Sequence, residues 1–317
     1  MEQTYFKIHP QVLRIDSTIP FDVYIRNIDG EYAQFHSKDT AYTAHFHNFI
    51  FINSLSELFV KKSDANNYFF YLENIFSEVL NDPFIGNKEK AFIAHGTITT
   101  IAMNLFQNVN AATALRYKKA IKPITEFVLK NDDSVKHLIM LTSNQYHEYN
   151  HPVNVGIFGM GLAKEMLNPE EHNLTEVFTG FFLHDIGKYT IPKEIYQKNS
   201  PLTEQEWVIM KKHPQFGYDL LKKYNLLTPE SEVIVLQHHE RHNGTGYPAG
   251  LNRDQIHTYS KICSIADAFD ALSAYRPFRD AQSSYRALEI MREEMKNEFD
   301  NEFFKKFVLL FRNQGLD

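Results

Sequence analysis

Cysteine is nearly absent from this sequence of 317 residues, in which Cys263 is the only one. One thiol cannot form a disulfide within the chain, a cysteine-based zinc site or an iron–sulfur cluster. We therefore expect a reducing compartment and a Cys263 that behaves as a small buried apolar residue. Histidine, by contrast, occurs 15 times. Because histidine is the commonest metal ligand, its placement along the chain is informative.

Long apolar runs and a strong excess of positive charge are also lacking. The longest apolar stretches, such as residues 178–183 and 307–311, are far shorter than the roughly 20 residues that span a membrane. The first residues contain no apolar segment of the kind found in a secretory signal. A net charge of −6 argues against a protein that coats a nucleic acid polymer. The sequence thus predicts a cytoplasmic protein with no membrane span.

The first 70 residues show the patterns of a small mixed α/β domain. Apolar and polar residues alternate over positions 21–25, which is typical of a half-buried strand. The pair Asp29-Gly30 then predicts a hairpin turn, with positions 31–36 as the returning strand. Positions 58–62 are a further candidate strand.

From about residue 68 onward the apolar residues recur with the period of an α-helix. Helices are predicted over 68–80, around 98–109 and over 114–129, the last with a kink near Pro123. After residue 135 everything reads as helical. Capping residues predict helix starts in that part at Asn168-Pro169, at Thr203 and at Thr228.

The predicted fold is therefore mainly α. A C-terminal helical bundle over 133–317 is preceded by a small α/β (α+β) domain over 1–70 and a helical connector over 71–132. The polar stretch at 131–133 is the best candidate for a domain boundary.

Ligand-type residues recur through the bundle at intervals of 25 to 33 residues. They are His151, the pair His184-Asp185, His213, the pair His238-His239, and Asp267. Each interval fits about one helix and a connection, so each ligand can come from a different element and converge on one point. Nitrogen and carboxylate ligands without thiolate suit iron, manganese or zinc.

The two adjacent pairs point to more than one ion. Neighbouring residues on a helix point about 100° apart, so they serve one ion poorly but can straddle two. The carboxylate of Asp185 could then bridge two metals about 3.5–4 Å apart, an arrangement suited to in-line displacement at phosphorus.

These segments resemble the motifs of a known family. Residues 184–188, His-Asp-Ile-Gly-Lys, resemble the HD-x-GK signature of the HD phosphohydrolases. Residues 238–248, from His238-His239-Glu240 to Gly246-Tyr247-Pro248, resemble the signature of the HD-GYP domains. Lys212-His213-Pro214, with Gly217, lies between them in the corresponding place, and residues 265–272 follow. The resemblance covers about residues 140–315, and no family is recognised in residues 1–130.

The resemblance implies an enzyme that hydrolyses cyclic di-GMP to pGpG, GMP or both, through a bridging hydroxide at a metal centre that is often iron. The implied metal ligands are His151, His184, Asp185, His213, His238, His239 and Asp267. Asp185 and Lys188 would act in catalysis, and Lys188, Arg276, Arg279 and Tyr247 would contact substrate. Asp270 would support a histidine ring N–H from behind.

Two departures from the family pattern bear on the site. Members with three metals carry a glutamate where this chain has His147, with Glu148 beside it. Because histidine cannot bridge metals as a carboxylate does, we expect two divalent ions, iron or else manganese, and no third. Asn243 replaces an aspartate found in many members, and we expect only a modest effect on the loop.

Other interpretations remain open from the sequence alone. A catalytically weak HD-GYP module could sense cyclic di-GMP or bind proteins, or the same chemistry could serve another cyclic dinucleotide. The Gly-Tyr-Pro loop could contact signalling partner proteins, the N-terminal region is expected to have an input or interaction role, and a homodimer is possible. His45 and His47 are expected to be structural, and Trp207 is expected to lie inside a helix and to contribute to packing.

Overall fold

The computed structural model describes residues 4–27, 29–142, 149–198, 200–274 and 282–312. The chain divides into two compact units, Met1–Thr100 and Ile101–Asp317.

The first unit is built on antiparallel strands. They are β1 (Tyr5–Ile8), β2 (Ser17–Ile19), β3 (Val23–Arg26), β4 (Tyr32–His36), β5 (Thr40–Tyr42) and β6 (Leu58–Lys61). Four of them form one sheet in the order β1-β6-β3-β4, and β2 pairs with β5 in a second sheet. The predicted hairpin is confirmed, because β3 and β4 pair across a turn in which Gly30 adopts a φ of 84°. That left-handed conformation favours glycine.

Helices begin within the first unit and continue into the second. They are α1 (Ala44–Ile52), α2 (Ala65–Asn74), α3 (Phe76–Asn81), α4 (Asn87–Gln107) and α5 (Ala111–Lys130). The predicted helix over 68–80 is two helices, since the chain leaves helical geometry at Ile75. In α5, Asn110 and Thr113 form a capping box, and Pro123 lies within the helix as predicted.

The second unit continues as a bundle of helices. They are α6 (Ser134–Ile139), α7 (Asn150–Met166), α8 (Leu174–Leu183), α9 (Lys193–Tyr196), α10 (Glu204–Met210), α11 (His213–Lys223), α12 (Pro229–Gln237), α13 (Thr258–Ser273), α14 (Ser284–Glu293) and α15 (Asn301–Leu309). The centre of the bundle is α7, which is buried over most of its length and packs against α8 and α13. In turn α12 packs against α8, α11 and α13. The prediction of a mainly α fold is confirmed.

Local capping signals predicted two of the three helix starts in this unit. Capping boxes form at Thr203 and at Thr228, where α10 and α12 begin. The predicted start at Asn168-Pro169 is wrong. Residues there form a turn in which Asn168 Oδ1 accepts from the Glu170 amide, and α8 begins later with Asn173 as its cap. An asparagine side chain closes a turn as readily as it caps a helix, which explains the error.

Two further expectations concern apolar segments. Cys263 is buried on α13, as expected. Among the helices of the described residues, none combines the length and the apolar character needed to cross a bilayer.

His95 on α4 makes the free energy of unfolding sensitive to acid. Burial lowers the pKa of its ring from 6.5 to about 4, so the unfolded chain takes up this proton more readily than the folded one. The contribution to stability is therefore complete above pH 6.5 and declines as the pH falls, by about 3 kcal/mol at pH 4. We expect His95→Leu to flatten this decline in urea unfolding measured between pH 7 and pH 4. An equal decline in both proteins would contradict the prediction.

Candidate metal centre

Five short segments bring ligand-type side chains together in the second unit. His151 is the second residue of α7, and the pair His184-Asp185 follows directly after α8. His213 is the first residue of α11, the pair His238-His239 follows α12, and Asp267 lies within α13. Since α7, α8, α12 and α13 pack on one another, these positions meet at one place. The structure thus brings together all seven residues predicted as ligands.

Asp185 lies at the middle of the cluster. Its Oδ2 is 3.2 Å from His151 Nε2 and 3.5 Å from His184 Nε2. Its Oδ1 is 3.2 Å from His213 Nε2 and 3.6 Å from His238 Nε2. One carboxylate therefore faces two histidine pairs, one with each oxygen. Ligand atoms accordingly form two groups that could each hold an ion, with Asp185 common to both.

Three of these histidines are oriented by the backbone carbonyls of the preceding turn. The Nδ1 atoms of His184, His213 and His238 lie 2.8, 2.8 and 3.0 Å from the carbonyl oxygens of Phe181, Met210 and Val235, respectively. A carbonyl oxygen can only accept, so each Nδ1 carries the proton and donates it. Each neutral ring is then left with a lone pair at Nε2, which points into the cluster.

These lone pairs need a cation between them. The Nε2 atoms of His213 and His238 lie 3.2 Å apart, although both are acceptors in this tautomer. Within the described residues, no hydrogen-bond partner satisfies the buried atoms His184 Nε2 and Asp185 Oδ1. Buried acceptors that face only other acceptors are unfavourable unless a positive ion neutralises them. The donor set of imidazole nitrogens and carboxylate oxygens therefore fits divalent metal ions.

His151 joins the cluster to α13. Its Nε2 lies 3.2 Å from Asp267 Oδ1, and its Nδ1 lies 2.6 Å from Asp270 Oδ2. The other oxygen of Asp270 accepts from Asn154 Nδ2 at 2.8 Å. The contact predicted for Asp270 is therefore present: it holds a histidine ring by the nitrogen opposite the cluster. The second oxygen of Asp267 lies 3.5 Å from His239 Nδ1.

The protonation states match those that bind metals. Burial lowers the pKa of His213, lowers that of His238 to about 4, and, with the adjacent His238, lowers that of His239. Burial alone would raise the pKa of Asp185, but the Lys188 ammonium and nearby histidines bring it well below its ordinary value. Neutral imidazole and ionised carboxylate are the forms that coordinate a metal.

His151 differs from the other rings. Burial lowers the pKa of its imidazole, but contacts with Asp185, Asp267 and Asp270 outweigh burial and raise the pKa well above its usual value. The surrounding carboxylates thus require positive charge at this ring. A proton supplies it in the metal-free protein, and a metal ion at Nε2 would supply it in the loaded protein.

The segment after Asp185 is a 3₁₀ turn that positions Lys188. The Lys188 ammonium donates to Asp185 Oδ2, and its side chain is 28% exposed at the edge of the cluster. The turn lies directly against α11, because a Cβ at Gly187 would clash with the carbonyl oxygen of His213 and with the backbone of Gly217. Gly187 and Gly217, which belong to two separate motifs, therefore allow the backbone of the turn to approach that of α11. This approach brings Asp185 beside His213.

Glu240 organises the loop that follows the histidine pair. It is buried, and its two oxygens accept from the Ala249 and Leu251 amides at 2.7 and 2.9 Å. Gly246 rests on the backbone of residues 239–241, where a Cβ would clash. The Tyr247 ring is held over His239, with centroids 4.6 Å apart. The loop is thus held against residues 239–241, the segment that also carries His239 of the cluster.

Asn243 acts within this loop rather than at the cluster. Its Oδ1 accepts from the Thr245 amide at 3.1 Å and from the Thr245 hydroxyl at 2.6 Å. Its backbone pairs with that of Asn252. The expected modest effect on the loop remains a prediction.

Glu240→Gln is expected to loosen the loop and to lower stability. An amide in place of the carboxylate keeps the shape but presents an N–H group to a backbone N–H group, which leaves a buried donor unsatisfied. The free energy of unfolding should fall by about 1–3 kcal/mol. Chemical denaturation measures the loss, and Glu232→Gln, at a half-buried position in the first turn of α12, is the matched control. A Glu240→Gln variant as stable as the control would contradict this role.

A cavity of about 460 Å³ opens beside the cluster. One end is lined by His151, Asp185, Lys188, His213 and His239. The rest is mainly apolar and aromatic, and includes Tyr189, Ile195, Tyr196, Leu202, Trp207 and Met210. Tyr247 also lines it, as its predicted contact with substrate requires. Trp207 lies within a helix as expected, but it is 46% exposed and lines this cavity instead of being buried by packing.

Three sequence expectations lie outside the described residues. They are the phosphate contacts of Arg276 and Arg279 and the effect of His147 on the number of metals.

Comparison with known families decides what kind of domain carries this site. The family described as HD domain matches residues 139–303, slightly more than half of the chain. The chain belongs to the HD domain family.

Relatives of this HD domain are named as phosphodiesterases of cyclic dinucleotides. Over 188 residues the chain is 30% identical to the cyclic di-GMP phosphodiesterase PA4108 of Pseudomonas aeruginosa, covering 59% of this chain and 45% of that protein. Over 124 residues it is 40% identical to the 3'3'-cGAMP-specific phosphodiesterase 3 of Vibrio cholerae, covering 38% of this chain and 26% of that protein. The chain thus spans less than half the length of these relatives.

A solved structure shares the fold. Bd1817, described as an HDG"Y"P protein from Bdellovibrio bacteriovorus, matches 98% of this chain and 100% of its own with a TM-score of 0.64 and 19% identity. Together with the relatives, it confirms the predicted resemblance to the HD-GYP group of HD domains.

Sequence reasoning missed two residues of this HD domain site. The sequence alone assigns Glu240 no role within its motif, although the glycine-rich loop that follows has backbone amides that need an acceptor. A position within a helix predicts a packing role for Trp207, and only its exposure on α10 shows that the residue is not buried.

Proposed function

We propose that this chain hydrolyses cyclic di-GMP to pGpG, GMP or both, at a centre of two divalent metal ions. The observation that carries the proposal is the position of Asp185, whose two oxygens each face a separate pair of histidine Nε2 atoms. A shared carboxylate between two ion sites is the arrangement that in-line displacement at phosphorus uses. Relatives named as cyclic di-GMP phosphodiesterases support the choice of substrate.

The proposed ligands divide between the two ions. His151, His184 and Asp185 form one group, and Asp185, His213, His238 and His239 form the other. Asp267 lies against both His151 and His239 and would complete the coordination. When bound, the ions would activate a water molecule and offset charge on the phosphate. We propose iron, with manganese as the alternative, and no third ion.

The protein's own groups hold the substrate and the ligands in place. Lys188 lines the cavity beside Asp185 and would neutralise charge on a phosphate oxygen as the phosphodiester bond breaks. Asp270 fixes the His151 ring through Nδ1, so its Nε2 stays directed at the cluster. Arg276, Arg279 and Tyr247 are proposed as further substrate contacts. The N-terminal unit is proposed to have a regulatory or interaction role.

Hydrolysis by the full chain tests the proposal. Protein loaded anaerobically with Fe(II) or with Mn(II) should convert cyclic di-GMP to pGpG or GMP, as followed by chromatography. Elemental analysis of the same samples should give two ions per chain. Fully loaded protein that produces neither product with either metal would overturn the proposal, whereas a value of three ions would overturn only the metal count.

A second candidate substrate has its own support. The relative with 40% identity is named as specific for 3'3'-cGAMP, so another cyclic dinucleotide is the competing substrate. Equal concentrations of both dinucleotides in one reaction would show which is consumed first. Faster loss of 3'3'-cGAMP would favour the second candidate.

A further inference from the structure

The lining of the cavity outside the metal cluster has a chemical character of its own. Tyr189, Tyr196 and Trp207 line it together with the aliphatic side chains of Ile195 and Leu202. A phosphodiester group has no apolar surface to place against such a wall. The bases of a nucleotide do, because both faces of a purine ring are apolar and stack on aromatic side chains.

The Trp207 ring has no stacking partner among the described residues. The Tyr247 ring already stacks on His239, and the Tyr189 hydroxyl donates to the Gln107 carbonyl oxygen at 3.1 Å. In the described part of the chain, no ring stacks on the Trp207 indole and no group accepts its N–H, while 46% of the side chain is exposed. Its surface is thus available to a ligand.

The helix that carries Trp207 is held rigidly at its start. Thr203 and Glu206 form a capping box, in which the Thr203 amide donates to Glu206 Oε2 at 2.7 Å. Lys198 Nζ donates to both oxygens of Glu206, at 2.8 and 2.6 Å, and so ties the preceding segment to α10. A base that stacks on Trp207 therefore meets a fixed platform and loses less free energy in ordering the protein.

We propose that Trp207 is the stacking platform for one nucleobase of the substrate. The inference rests on the proposed function and deepens it, because it makes the base, and not only the phosphodiester, a determinant of binding. The cavity lining would then serve both parts of a nucleotide. Its phosphate lies at Lys188 and the metal cluster, and its base lies between Trp207 and the tyrosine-lined wall.

Fluorescence of the metal-loaded full chain tests the proposal directly. Trp207 is the only tryptophan of the chain, so all tryptophan emission reports on this position. Titration with GMP should quench the emission to saturation, after correction against free tryptophan for absorbed light. Ribose 5-phosphate, which has the phosphate without the base, should leave the emission unchanged. Equal responses to both probes, or to neither, would overturn the proposal.

Kinetics give a second, independent test. Trp207→Ala should raise KM for cyclic di-GMP by about tenfold to a hundredfold, as expected from the loss of one stacked base. The value of kcat should change less than threefold, and Trp207→Phe should restore most of the affinity. Tyr285→Ala is the matched control, because Tyr285 is an exposed aromatic residue on α14 that does not line the cavity.

The two tests separate this inference from the proposed function. If the loaded protein hydrolyses cyclic di-GMP and Trp207→Ala leaves KM unchanged, the platform is wrong and the activity stands. If no hydrolysis occurs but GMP alone quenches the emission, the base-binding subsite stands and the activity is wrong.

Discussion

Asp185→Asn is expected to lower kcat for cyclic di-GMP by about a thousandfold, because the two-metal arrangement contributes several kcal/mol to transition-state stabilisation. The asparagine keeps the size of the side chain, but its amide nitrogen cannot coordinate, so it no longer offers an oxygen to each ion. It also removes the negative charge that faces four histidine Nε2 atoms. Metal content should fall from two ions per chain to one or fewer, and both quantities are measured on the same preparation.

Asp219→Asn is the matched control for this prediction. Asp219 is an exposed aspartate on α11 whose carboxylate accepts from Gln215 at 3.1 Å and contacts no member of the metal cluster. Its replacement should leave kcat and metal content unchanged. If Asp185→Asn keeps two ions and at least a tenth of the activity, Asp185 does not bridge the ions.

Gly187→Ala is expected to have the largest effect on stability. Its new Cβ would clash with the His213 carbonyl oxygen and with the Gly217 backbone, and backbone atoms cannot turn aside as a flexible side chain can. Separating the 3₁₀ turn from α11 should lower the free energy of unfolding by about 3–5 kcal/mol. Because Asp185 and His213 lie on the two separated segments, metal content should fall as well. Denaturant unfolding and elemental analysis measure the two effects.

Alanine substitutions at two other glycines serve as comparisons for the stability loss of Gly187→Ala. At Gly217 the nearest atom to a new Cβ is a Val235 side-chain methyl group, which can shift, so Gly217→Ala should be milder and remain measurable if Gly187→Ala does not fold. At Gly86 a Cβ would meet nothing within 4 Å, and Gly86→Ala should cost about 1 kcal/mol or less. A Gly187→Ala variant no less stable than Gly86→Ala would show that the close approach does not matter.

Local sequence signals predicted most of the secondary structure. Alternation over 21–25 and the Asp29-Gly30 turn predicted the β3–β4 hairpin, because both signals depend only on neighbouring residues. Thr203 and Glu206 predicted the start of α10 for the same reason. The helix start predicted at Asn168-Pro169 is wrong, because the same residue types also form a turn. Whether a capping residue opens a helix depends on whether the chain that follows has an apolar face to pack.

The order and type of the residues in the cluster were also determined by the sequence. Histidines and aspartates at intervals of about one helix and one connection, within motifs resembling those of HD-GYP domains, identified all seven members of the cluster and the support from Asp270. The adjacent pairs His184-Asp185 and His238-His239 also predicted two ions rather than one. Residue identity was sufficient to find the members of the cluster, because a metal site needs particular donor atoms. Each motif contains residues that carry such donor atoms.

Only the tertiary structure decided how those donors are directed and what surrounds them. The carbonyl oxygens of the preceding turns make each Nε2 an acceptor, the contact of Gly187 with Gly217 joins two distant motifs, and the exposure of Trp207 opens an aromatic wall. Each of these depends on packing between segments far apart in sequence. Periodicity and spacing describe one element at a time, whereas the direction of a lone pair and the shape of a cavity are properties of several elements together.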